Sequence, residues 1–82
     1  MENKVELEIR GIDEKTLLSL NESLSPEIKT LPEACRGEIS IEGNTLRIFV
    51  SCSRIGLLRA VVNSIISTID MLIELRKVAE DE

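Results

Sequence analysis

The chain has 82 residues, 15 acidic against 10 basic side chains, a net charge of −5, no histidine, two cysteines and one aromatic residue, Phe49. That length makes a single domain, residues 1–82, small enough that its stability alone is marginal. The acidic balance and lone aromatic argue against a free-standing nucleic-acid binder with a basic face or stacking platform, and the lack of histidine rules out Ser–His and Cys–His dyads.

Val5, Leu7 and Ile9 alternate with Glu6, Glu8 and Arg10, the period of a half-buried strand. Gly11 ends it. Asp13 offers a side-chain oxygen as a helix cap, and Glu14 suits the first turn. Leu17, Leu18, Leu20 and Leu24 give the short helix that follows an apolar face. Pro26 is expected to end that helix, because the residue before a proline avoids helical geometry. The segment from Glu27 to Cys35, with Pro32 and no period, reads as a loop. Ile39 and Ile41 then alternate with Glu38, Ser40 and Glu42, and Leu46, Ile48 and Val50 alternate with Arg47, Phe49 and Ser51. Between them Gly43-Asn44 is a two-residue hairpin signal, so these two strands pair antiparallel. From Ser53, read as an N-cap, the period lengthens. Ile55, Leu58, Val62, Ile65, Ile69 and Leu72 mark a long helix, with Arg76-Lys77 suited to the negative end of its dipole and Glu80-Asp81-Glu82 expected to fray. The expected fold is α+β, a three-stranded antiparallel sheet with two helices on one face, in the order β-α-β-β-α.

Nothing in the sequence supplies chemistry. There is no GxxxxGK[ST] or GxGxxG string to cradle phosphate, and no CxxC pair to hold zinc. The carboxylates sit where solvated charge is the default. Gly11, Gly37, Gly43 and Gly56 read as turn and cap residues. No catalytic residue, metal or cofactor is expected. A Cys35–Cys52 bridge is open to the chain, but two cysteines do not make a secreted disulfide framework, and two reduced, half-buried thiols are the expectation. The start, MENKVELEIRG, lacks the continuous apolar run of a secretion signal. Arg59, Asn63 and Asp70 interrupt the most apolar stretch, Ile55 to Leu75, which argues against a membrane span. A cytoplasmic location is expected.

The last helix carries more apolar surface than a small sheet can cover. At about 100° per residue, Leu57, Val61 and Leu75 flank the main row, to which Ile73 belongs, and Ile66 lies on the opposite margin. Excess of this kind marks a partner surface, and Leu57, Val61 and Leu75 are its expected centre. On that reading Val61→Asp would leave a folded domain unable to associate. Two sheet edges also stand open to another chain, since Glu6 and Glu8 project from the outer face and do not block pairing. Arg59, Asn63 and Asp70 fall on the polar face.

The segment GEISIEGNTLRIFVSCSRIGLLRAVVNSII resembles the Pcc-type dimerisation subunit of the KEOPS tRNA-modification complex. In that family a hairpin runs straight into a helix beginning approximately Leu-Arg-Ala-x-x-Asn-Ser. Here those residues are Leu58, Arg59, Ala60, Asn63 and Ser64. Pro26-Glu27 followed by Arg36 is similar to the family's stretch before the second strand. Two positions depart from the pattern. Arg54 stands where the family usually has Asp, and Ser67-Thr68 where it often has a basic-aromatic pair, as in a diverged paralogue. The resemblance implies a non-catalytic scaffold that dimerises, as a homodimer or with a Pcc-type paralogue. It also implies binding to helices of the threonylcarbamoyl transferase subunit, in support of threonylcarbamoyladenosine formation, and contact with tRNA only within the assembled complex. Arg47, Arg54 and Arg59 are the candidate tRNA contacts. The alternatives are a stand-alone KH-like RNA-binding module, which the missing GXXG loop disfavours, and a small enzyme or metal-binding domain.

Overall fold

The computed structural model describes the backbone of residues 2–81 and the side chains of residues 2–75. The expectations for the Arg76-Lys77 side chains and for Glu82 lie outside the described residues, while the backbone at 80–81, expected to fray, continues the last helix. The elements are β1 (Asn3–Ile9), α1 (Glu14–Lys29), β2 (Cys35–Glu42), β3 (Thr45–Cys52) and α2 (Ile55–Asp81). They form one antiparallel sheet in the order β1-β3-β2, so β3 is central and β1 and β2 are its edges. Order and class are those expected.

The register follows from side-chain alternation. Val5, Leu7 and Ile9 lie opposite Val50, Ile48 and Leu46, and Ile39 and Ile41 lie opposite Ile48 and Leu46. All of these face the helices. The central residues Leu46, Ile48 and Val50 are buried, whereas their neighbours on both edges are only half-buried. Gly43, at φ 60°, makes the turn. Leu17, Leu20, Leu24 and Ile28 of α1 and Leu58, Val61 and Ile65 of α2 complete the core.

Several boundaries differ from expectation for identifiable reasons. α1 does not stop at Pro26 but runs on to Lys29. Pro26 removes only its own N–H bond, to the carbonyl of Glu22, and both residues are solvent-exposed, so water serves the freed carbonyl. The extra turn buries Ile28, worth about 2 kcal/mol. Thr30 closes the helix, its backbone N–H donating to the Pro26 carbonyl at 3.1 Å. At the other end Asp13 caps as expected, accepting from the Thr16 N–H at 3.3 Å. β2 begins at Cys35, inside the segment read as loop. α2 begins at Ile55, so Arg54 and not Ser53 holds the cap position. The Ser53 N–H instead donates to the Ala34 carbonyl at 3.0 Å.

Gly37 is not a turn residue. It lies in β2 beneath the end of α1, where a Cβ would come within 2.9 Å of the Phe49 carbonyl oxygen, 3.0 Å of Leu31 and 3.2 Å of Ile28. Because the nearest atom belongs to the central strand's backbone, it cannot move aside cheaply. Gly37→Val is expected to destabilise the chain by about 2–3 kcal/mol, read as a lower urea midpoint at unchanged slope. An unchanged midpoint would mean that α1 does not close on β2 in this way.

The cysteines also depart from expectation. Cys35 and Cys52 are not two reduced thiols but a disulfide, S–S 2.06 Å. The hairpin register sets them directly opposite each other, with Cα atoms 4.1 Å apart, at its open end.

On the sheet's outer face charges pair across strands. Glu2 accepts from Ser51 Oγ at 2.9 Å and pairs with Arg36 at 3.1 Å. The Ser51 hydroxyl and then the Arg36 charge hold the Glu2 carboxyl below its ordinary pKa. Glu8 is lowered in the same way, chiefly by Arg10 and then by Arg47. These groups are exposed and add little to stability.

Candidate interaction surfaces

α2 lies over β3 and β1, and α1 lies over β2. At 1.5 Å per residue α2 is about 40 Å long, against about 27 Å for an eight-residue strand. The helix therefore outruns the sheet, and the chain extends 47 Å in one direction but only 23 and 18 Å in the others. Its apolar side chains are left uncovered in proportion. Ile55, Ile66, Met71 and Leu75 are 56, 48, 55 and 59% exposed.

Between the end of α1 and the first half of α2 lies a groove of about 280 Å³, lined by Glu27, Thr30, Leu31, Pro32, Leu57, Ala60, Val61 and Ser64. One end is fixed by polar contacts. Ser64 Oγ donates to Glu27 Oε1 at 2.6 Å and Thr68 Oγ1 to Glu27 Oε2 at 3.4 Å. Of the three residues expected at the partner surface, Leu57 lines this groove and is half-buried, and Leu75 is exposed two turns beyond Thr68. Val61 departs from expectation. It is only 8% exposed and belongs to the core, because the α1 side of α2 is where sheet and both helices meet.

A second surface escaped the sequence reading. With Ser64 and Thr68 turned toward α1, the helical period puts Ile55, Val62, Ile66, Ile69 and Ile73 on the opposite flank. That flank lies on the β1 side of the helix layer, above an edge strand whose Val5, Leu7 and Ile9 are only half-buried. Edge strand and flank are neighbours, and both carry apolar side chains that the fold leaves partly or wholly uncovered. The signal of this surface was present as the Ile66 margin, but only the position of α1 shows which flank stays free.

The three candidate arginines do not form one patch. Arg47 projects from the outer sheet face, where Glu8 at 3.4 Å and Glu42 at 3.5 Å pair with it. Arg54 precedes α2 and Arg59 lies on its solvent face, both exposed. Arg59 and Asn63 make no hydrogen bond or ion pair among the described residues. Of the other motif positions, Leu58 is buried against the sheet, while Ala60 and Ser64 line the groove. Among the described residues no group of His, Cys, Asp and Glu is placed to hold a metal ion. By length and composition Ile55–Leu75 is apolar enough to cross a membrane, with a mean hydropathy of 1.5, yet Leu58, Val61 and Ile65 within it are packed into the core.

The family model described as transcription factor Pcc1 matches residues 4–76. The chain belongs to the Pcc1 family. A solved structure described as the crystal structure of a binary Gon7-Pcc1 complex contains a similar chain, with a TM-score of 0.79 and 26% identity over 94% of this chain and 95% of that one. No curated protein matches. The chain is thus a KEOPS-related subunit of Pcc1 type, a family of non-catalytic scaffolds.

Proposed function

We propose that the chain is a KEOPS scaffold subunit that binds the threonylcarbamoyl transferase through the α1/α2 groove and a second Pcc-type chain through the β1 edge and the isoleucine flank of α2. The observation that carries this is the uncovered apolar surface of α2, which continues beyond the sheet. Water-exposed apolar area on this scale, on a helix with an open strand edge beside it, is the surface of a subunit and not of a finished monomer. Each surface fits its occupant. The groove is shallow, apolar and bounded by two helices, so it accepts a helical ridge. The β1 edge offers unpaired N–H and C=O groups and accepts a strand, while the isoleucine flank packs on its counterpart. The related chain was solved bound to another protein, Gon7, which supports an interaction role for the fold.

The second chain is either another copy or a Pcc-type paralogue. The chain's own charge leaves tRNA contact to the assembled complex, with Arg54 and Arg59, which pair with no acid among the described residues, as candidate contacts. Its place of work is the cytoplasm.

Co-expression with the transferase and an ordinary Pcc-type subunit, followed by native mass spectrometry, tests this. The expected species contains the transferase and two Pcc-type chains, one of them this protein. A strict monomer that fails to join either protein would overturn the proposal.

A further inference from the structure

Both walls of the groove lead along the chain to one covalent link, the Cys35–Cys52 bridge, three residues after Pro32 and five before Leu57. Thr30, Leu31 and Pro32 form one wall, on the loop between α1 and β2. That loop is held at its far end by two backbone hydrogen bonds, Cys35 N–H to the Pro32 carbonyl at 2.8 Å and Ser53 N–H to the Ala34 carbonyl at 3.0 Å. The disulfide lies between these two points, since Cys35 follows Ala34 and Cys52 precedes Ser53. Leu57, on the other wall, is one turn into the helix that starts just after the bridge. The S–S bond therefore fastens together the loop, the end of the central strand and the start of α2. Beneath the loop, Leu31 and Ile28 close on Gly37, so the wall's position depends on β2 staying in place. Cys52 is fully buried and Cys35 half-buried, which leaves Cys35 as the sulfur that a solvent-borne thiol reaches.

We infer that the Cys35–Cys52 bridge is a reversible catch, opened by low-molecular-weight thiols, and that its state sets how well the groove accepts its partner. The inference rests on the reading of the groove as the transferase contact. A thiolate RS⁻ attacks Cys35 Sγ, the S–S bond breaks, and Cys52 leaves as a thiolate that takes up a proton. A second thiolate attacks the small-molecule sulfur of the mixed disulfide, releases Cys35 and yields RSSR. Overall, the bridge and two RSH give two protein thiols and RSSR, and a low-molecular-weight disulfide such as oxidised glutathione reverses the sequence. With the catch open, Cys52 remains in the core as a small apolar side chain, and the far end of the loop is held by its two hydrogen bonds without the covalent link.

The test compares the purified chain oxidised with glutathione disulfide and reduced with dithiothreitol under native conditions. Intact mass confirms each state by a gain of two hydrogens on reduction. Amide hydrogen exchange then reads the loop, and titration with purified transferase reads the groove. In the reduced form the amides of Cys35 and Ser53 are expected to exchange at least about tenfold faster, with the central amides of β3 unchanged. Transferase affinity is expected to fall about fivefold or more. Equal exchange at Cys35 and Ser53 in the two states would overturn the catch, as would a bridge that dithiothreitol reduces only in denaturant. Equal transferase affinity in the two states, with exchange altered, overturns the control of docking and leaves the groove's role standing. Failure of both forms to bind overturns the groove's role and the control of docking with it. The exchange measurement still decides whether the catch exists.

Discussion

Ala60→Arg leaves the domain folded and weakens its binding to the transferase by at least about 100-fold, or 2.7 kcal/mol. Ala60 is exposed and lines the groove beside Leu57 and Val61. On the free chain the change costs little. Alanine and arginine are both good helix formers, and the new guanidinium reaches water along an exposed face. In the complex the same side chain must either fill a groove of about 280 Å³ or be driven out of it. Its charge then loses water without gaining a designed partner, and truncations or insertions at the centre of an interface commonly cost 2 kcal/mol or more. Circular dichroism and a urea melt establish the fold, and calorimetric titration with the transferase reads the affinity. A folded Ala60→Arg chain that binds within threefold of the unmodified protein would place the transferase elsewhere. The same variant should still pair with a second Pcc-type chain, because the contact proposed for that chain is on the other flank of α2.

The separation into two flanks marks the limit of what the sequence could say. Alternation in 5–9, 38–42 and 46–50 fixed three strands, and the change of period after Ser53 fixed the long helix, because each signal depends only on a residue's near neighbours. The total apolar arc of α2 was legible for the same reason. Which part of the arc faces solvent was not, since that is decided by where α1 crosses it. Val61 and Leu57 share a flank by sequence. In the folded chain Val61 is pinned between sheet and helix, and Leu57, a turn earlier, reaches the groove. Pro26 misled for a related reason. Local geometry argued for a stop, and the burial of Ile28, a tertiary effect, outweighed it.

The disulfide is different, because its signal is present in the sequence. Cys35 lies eight residues before Gly43 and Cys52 eight after Asn44. Once Gly43-Asn44 is taken as a two-residue turn, antiparallel pairing brings those positions face to face. The small number of cysteines and the expected compartment argue for free thiols, but they are class-level considerations and weaker than register. Gly37 was legible in hindsight too. A glycine that keeps strand parity with Cys35, Ile39 and Ile41 points inward, and an inward glycine marks the close approach of another element.

Val61→Asp is expected to abolish cooperative folding of the isolated chain, in contrast to Ala60→Arg next to it. Val61 is 8% exposed and packed among Leu58, Ile65 and the core residues of the sheet. Among the described residues the acids and bases that pair do so on the outer face of the sheet, on the far side from α2, and none of those cations is placed to meet a carboxylate at position 61. Burying an unpaired polar group costs several kcal/mol, whether the aspartate stays charged or takes up a proton to become neutral. A domain of this length has a total stability of roughly 4–12 kcal/mol at the usual 0.05–0.15 per residue. The penalty is therefore a large share of everything holding the chain together, and the lost valine contacts add about 2 kcal/mol. Thermal and urea melts read the outcome, with Val61→Ala as the control that removes contacts without adding charge. Val61→Ala should retain a cooperative transition at a lower midpoint, and Val61→Asp should show none. Were Val61→Asp to melt cooperatively within about 1 kcal/mol of Val61→Ala, Val61 would have access to water. The helix would then be rotated from the position described, and the isoleucine flank would lie against the sheet and not beside its edge.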